Sequence, residues 1–194
     1  MLKRLYNWTL NLANRPYAER WLAFIAFIES SFFPIPPDVI LLPMAIARRE
    51  KAIRFAIICT IGSVFGAILG YAIGYYAWEL VGKEIIGFYG YTAEFANFQD
   101  SFIEYGAWLV FIFGLTFFPF KVITIASGVV AMDPLAFILA SIASRTPRFL
   151  IEGILIFHFG DAIKNFIEKR LTLVTSVTVF LLIFGFVAIK FIGS

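Results

Sequence analysis

The chain is poor in charge and in the side chains that usually carry chemistry. Only 15% of its 194 residues are charged, and it has one histidine, His158, and one cysteine, Cys59. A soluble domain is about a quarter charged and about half apolar. Here 61% of residues are hydrophobic, 24 of them Phe, and the mean hydropathy is +0.87. One small core cannot hide that much apolar surface, so the composition excludes a soluble globular domain and predicts a one-domain integral membrane protein. A lone cysteine permits no intramolecular disulfide and forms no metal motif. There is no His-Glu-x-x-His helix, no Gly-x-Ser-x-Gly elbow and no P-loop, so the chain is read as a non-enzyme without cofactor or metal. The net charge of +3 is read as loop charge rather than as a nucleic-acid surface.

Long apolar runs are what the chain has in plenty: 21–47, 55–81, 107–131, 135–159 and 171–193. Residues 1–20 precede them. Leu2, Leu5, Tyr6, Thr9, Leu12 and Ala13 share one helical face there, and Trp8 suits the headgroup region, so an interfacial amphipathic helix is expected rather than a cleavable leader. Two runs do not read as plain spans. The first holds Pro34, Pro36, Pro37 and Pro43, which remove backbone donors and clash with the preceding turn. Broken backbone at membrane depth survives only when buried in protein or lining a polar cavity. A re-entrant hairpin over 21–47 follows, turning at Phe33-Pro34-Ile35-Pro36-Pro37. Residues 107–131 show the same pattern around Phe118-Pro119-Phe120-Lys121. Pro36-Pro37-Asp38-Val39-Ile40 aligns with Pro119-Phe120-Lys121-Val122-Ile123, and a long apolar run follows each, as in an inverted repeat.

Loop charge sets the orientation. Residues 1–20 and 48–54 each sum to +3, 82–105 to −3 and 159–170 to +1. If 21–47 re-enters rather than crosses, both strongly basic segments lie on one side, which the positive-inside rule makes cytoplasmic. The acidic segment is then an external loop, the two hairpins enter from opposite faces, and the C-terminus is external. Within 55–81, Gly62, Gly66, Gly70 and Gly74 recur every fourth residue and clear one helix face for close packing. Packing inside the monomer is the main expectation, with a homodimer seam as the alternative.

Six ionisable residues sit inside the apolar runs: Glu29, Asp38, Lys121, Arg145, Arg148 and Glu152. Such a group costs about 2.5–3.5 kcal/mol on insertion scales and normally faces a cavity or another charge. Arg145, Arg148 and Glu152 are spaced i, i+3, i+7 and share a helix face with Ser141, with Pro147 between the arginines. One reading is mutual neutralisation that holds the hairpins together. The other is a polar midplane cavity. There Lys121, Arg145 and Arg148 take an anionic lipid headgroup, and Glu29, Asp38 and Glu152 couple or gate through protons. In that cavity Asp38 and Lys121 are expected to approach one another. His158 is read as an interfacial or packing residue.

The segment Glu29-Ser30-Ser31-Phe32-Phe33-Pro34-Ile35-Pro36-Pro37-Asp38 resembles the first re-entrant motif of the DedA family, also called the SNARE-associated Golgi protein or VTT-domain family. Phe118-Pro119-Phe120-Lys121-Val122-Ile123-Thr124-Ile125-Ala126-Ser127-Gly128 is similar to its second motif. Ser144-Arg145-Thr146-Pro147-Arg148-Phe149 resembles an element of the family's YqaA-like bacterial branch. The resemblance covers roughly residues 21–160. It implies two facing re-entrant hairpins and movement of lipids between leaflets, with undecaprenyl phosphate or a phospholipid as cargo and a proton-motive dependence. It also implies that Glu29 and Asp38 are the functional acids and Lys121 a functional base. Many members carry Arg close after the glycine where this chain has Gly114-Leu115-Thr116, so Arg145 and Arg148 would supply that charge here.

The expected protein is therefore an all-α bacterial inner-membrane protein with two opposed re-entrant hairpins and about three transmembrane helices. Its expected parts are an interfacial helix over 1–20, a DedA-like domain over 21–160, and a connector with a final transmembrane helix over 161–194. The expected function is a flippase or scramblase for an anionic lipid. The alternatives are a membrane organiser that assists other proteins without transport, and an ion-coupled small-solute transporter.

Overall fold

The computed structural model describes residues 17–33, 36–116 and 119–169, and every regular element among them is helical. The chain starts with α1 (Ala18–Ser31), breaks, and resumes as α2 (Asp38–Ala47). A 3-10 turn (Arg49–Lys51) leads into α3 (Ala52–Ala77), which continues through a π turn (Trp78–Gly82) into α4 (Lys83–Tyr89). Gly90, with φ 76°, supplies the left-handed residue that ends α4. Then come α5 (Thr92–Leu115), a second break, α6 (Phe120–Val129), and the long α7 (Pro134–Lys169).

Both breaks fall where prolines predicted them. Pro37 and Pro119 immediately precede α2 and α6, where a fixed φ suits a helix start and a missing N–H leaves nothing unsatisfied. Each unit is thus a helix, a break and a ten-residue helix, followed by a long helix. The units exchange their short helices: α2 packs on α7 and α6 packs on α3, while α1 and α5 lie along the long helix of their own unit.

The glycine face of α3 is filled from within the chain. A Cβ on Gly62 or Gly66 would strike backbone carbonyls of α1, and one on Gly74 would strike the Ile125 carbonyl of α6. Gly128 of α6 returns the contact, lying against the Tyr71 carbonyl of α3. Glycine inside a helix costs about 1 kcal/mol relative to alanine. Contact at backbone distance offsets that cost here, and the stripe is not a free homodimer seam.

Two expectations are corrected. The acidic segment 82–105 is not a loop but the helices α4 and α5, because its apolar residues recur at helical spacing between the charges. The second descending helix accordingly begins at Thr92, well before 107. Helix α7 runs unbroken past Pro147 and across residue 160 to Lys169. The interfacial helix over 1–16, the span over 171–193, Pro34 and the pair Phe117-Phe118 lie outside the described residues.

Two apolar clusters form the interior. Leu22, Leu41, Met44, Phe55 and Phe149 join α1, α2, α3 and α7; Val110, Phe120, Val130 and Phe137 join α5, α6 and α7. The exterior is unusually apolar: Phe65, Trp108 and Leu135 are 61%, 67% and 65% exposed. Among the described residues, the helical run Arg49–Tyr89, with a mean hydropathy of 2.1 over its most apolar window, is the one long and apolar enough to cross a membrane.

Candidate functional site: a two-arginine charged centre

Helical spacing on α7 turns Arg145, Arg148 and Glu152 toward the α1–α2 unit, and the two arginines take different partners there. Arg145 is 4% exposed and reaches across to α1, α3 and α5. Its Nη2 donates to Glu29 Oε2 at 2.9 Å and to Ser30 Oγ at 3.3 Å. Its Nε donates to Ser63 Oγ at 2.7 Å and its Nη1 to the Gly114 carbonyl at 3.4 Å. The Phe120 ring of α6 lies under the guanidinium, 4.3 Å from centroid to Cζ, with Phe149 at 5.1 Å. Ser30 also donates to Glu29 Oε2 at 3.0 Å and shares a 2.7 Å hydrogen bond with Ser63. All three nitrogens of the cation are thus engaged by protein and two aromatic rings lie against it, which is the condition under which a buried ion pair holds together.

Arg148, one turn further on, forms a more open unit. Its Nη2 donates to Asp38 Oδ2 at 2.8 Å, and its Nη1 pairs with Glu152 Oε1 on the same helix. The side chains of Arg148, Asp38 and Glu152 are 10%, 20% and 18% exposed. Asp38 Oδ1 and Glu152 Oε2 are both buried without a hydrogen-bond partner. Asp38 is the first residue of α2, where a negative charge is favoured by the helix dipole. Its carboxylate ties the start of that helix to α7.

Lys121 does not meet Asp38. Its Nζ donates to the Phe33 carbonyl at 3.2 Å, just past the end of α1. Thr124 Oγ1 donates to the Ser30 carbonyl at 3.1 Å. The two broken regions therefore do touch, but through the C-terminal carbonyls of α1. A cation is favoured at that end of a helix, so Lys121 acts there as a cap.

The expected open polar cavity is closed in this arrangement, because acids and bases contact one another directly. An open hollow of about 490 Å³ lies instead between α5 and α7, lined by Ala107, Trp108, Phe111, Leu139, Ala140 and Ala143, and its walls are apolar. Ser30 and Ser63 are the residues whose site role the sequence reading missed. Small hydroxyls beside Glu29 and within the Gly62–Gly66 stripe were the available signal, since such positions abut another helix. No group of His, Cys, Asp and Glu suited to a metal ion occurs among the described residues.

These features define an all-helical protein in which two helix–break–helix units close on a buried charged centre. Over 186 residues the chain is 35% identical to an uncharacterized protein of Haemophilus influenzae, covering 96% of each. It is 37% identical over 147 residues to an uncharacterized protein of Histophilus somni, covering 76% of each. The chain belongs to the family these two proteins represent. No family profile and no solved structure matches it.

Proposed function

We propose that the protein is a multi-pass bacterial inner-membrane protein of DedA type that moves an anionic lipid between leaflets, with Arg148 as the headgroup contact. The observation that carries this reading is the Arg148 unit: one guanidinium shared by two carboxylates, each keeping a buried oxygen without a partner. A guanidinium fork matches a phosphate bidentately, and a phosphate arriving there replaces a carboxylate of like charge. The apolar exterior and the broken helices support placement in a bilayer, where such breaks line or bury polar sites. Both basic segments then face the cytoplasm.

Arg145 favours a second reading on one count. Protein partners on all three of its nitrogens are what a purely structural tie requires, as in a membrane organiser that transports nothing. The two readings separate in proteoliposomes. Leaflet exchange of a labelled polyprenyl phosphate is compared with that of a lipid lacking headgroup charge, for wild type and Arg148→Gln protein of verified helicity. Protein-dependent exchange of the anionic lipid, lost in Arg148→Gln, supports the carrier. Equal exchange of both lipids points to a general scramblase. No exchange, with or without a proton gradient, favours the organiser.

A further inference from the structure

The two short helices are counterparts in the repeat, yet they are fastened very differently. Helix α6 lies on α3 at backbone distance, through Gly128 against the Tyr71 carbonyl and Gly74 against the Ile125 carbonyl. Its sides are stitched by Thr124 to the Ser30 carbonyl and Lys121 to the Phe33 carbonyl. The turn that follows it is held by Gln99 Nε2 to the Val130 carbonyl at 2.9 Å and by Tyr71 Oη to the Met132 carbonyl. Phe120 at its start is sealed beneath Arg145.

Helix α2 has none of this backbone-level fastening. It contains no glycine, and Pro43 in its middle removes one of its own hydrogen bonds. Leu41, Met44, Ala45 and Ile46 bury one side, while Val39 and Leu42 are exposed on the other. The side-chain hydrogen bond that fastens it to α7 is Arg148 to Asp38, on a carboxylate whose second oxygen is buried and unpartnered. Leaving a buried acceptor unpaired is unfavourable, so this attachment is held below its full strength. Glu152, four residues along α7, keeps Arg148 in place whether or not Asp38 is there.

We infer that Asp38 is an internal stand-in for a phosphate oxyanion at Arg148, and that exchange of the two releases α2, which swings as the gate of the charged centre while α6 stays fixed. The exchange replaces one charge-assisted hydrogen bond with another, so the ligand's affinity for Arg148 is opposed by the packing of α2 and by desolvation of the phosphate. The inference rests on the lipid-carrier reading for its ligand but not for its moving part. The phosphate could come from a lipid headgroup or from solution, and the test separates the two.

Amide hydrogen exchange of the full chain in phosphatidylcholine nanodiscs reads the opening of each helix separately. Amides of α2 are expected to exchange faster than those of α6. Asp38→Asn is expected to speed α2 exchange about tenfold or more while α6 is unchanged. In wild type, phosphatidic acid in the nanodisc is expected to speed α2 in the same way if the ligand is a lipid, and inorganic phosphate if it is soluble. Should Asp38→Asn lose protection throughout, Arg148→Gln replaces it, with the same rise confined to α2. An α6 that opens first, an α2 indifferent to the substitution, or an α2 indifferent to both phosphate sources each overturns the inference. Leaflet exchange is scored independently. Its absence beside an α2-limited opening removes the lipid-moving role and leaves the gate, whereas intact transport with an unresponsive α2 removes the gate alone.

Discussion

Arg145 and Arg148 stand three residues apart on one face of one helix, and they belong to two different kinds of structure. Arg145 is sealed: a carboxylate, two serine hydroxyls and a carbonyl surround it, and two aromatic rings cover it. Arg148 is shared between two half-satisfied carboxylates and retains some exposure. Both guanidiniums are paired with acids, Arg145 fully buried and Arg148 half-buried. The buried, unpartnered oxygens of Asp38 and Glu152 set the Arg148 unit apart. A cation whose three nitrogens all have protein partners holds elements together, and a unit with buried, unpaired acceptors has a reason to rearrange.

The contrast breaks most visibly at Arg145. Arg145→Ala leaves Glu29 as an uncompensated buried charge and is expected to cost about 3–5 kcal/mol. It should appear as a collapse of the thermal unfolding midpoint in detergent, and a midpoint near wild type would mean that the centre is wet and weak. Adding Glu29→Gln to that variant should recover part of the loss, because the stranded charge is gone, and unfolding of single and double variants measures the recovery.

A probe of the framework around both centres comes next in size. Gly66→Ala drives a methyl into the Phe27 carbonyl and parts α1 from α3, costing about 1–3 kcal/mol by overpacking. Gly87→Ala, whose Cβ meets nothing within 4 Å, is the matched control and should leave the midpoint unchanged.

Arg148→Gln is expected to destabilise less than Arg145→Ala, by about 1–2 kcal/mol, because its partly exposed partners rehydrate. Denaturant unfolding checks this, and a loss equal to that of Arg145→Ala would erase the distinction. The smallest effect is expected from Glu152→Gln, within about 1 kcal/mol, since Asp38 still pairs with Arg148. The same variant should leave α2 exchange close to wild type, which sharpens the assignment of Asp38 as the tie.

Much of this architecture was legible in the residues. Prolines marked both helix breaks, because a missing N–H and a fixed φ act locally and need no partner. The i, i+3, i+7 spacing placed Arg145, Arg148 and Glu152 on one face for the same kind of reason. The partners on other helices were not legible. Lys121 was expected at Asp38 and instead caps α1, while Glu29 pairs with a residue 116 positions away. Several pairings of six balanced charges satisfy the same charge count, and sequence spacing does not rank them. The acidic stretch 82–105 misled for a related cause, since charge alone does not distinguish a loop from an exposed helix.

Local stereochemistry and hydrophobicity are properties of each residue with its neighbours. The sequence by itself therefore determined an all-helical chain, its two proline breaks, the repeat and the cleared glycine face. Which helix the glycine face receives, which short helix is clamped and which is tied by one carboxylate, and which arginine is sealed are three-dimensional outcomes. They depend on how α3 and α7 cross the exchanged units, because hydrogen bonds and ion pairs act over a few ångströms between residues that the chain holds far apart.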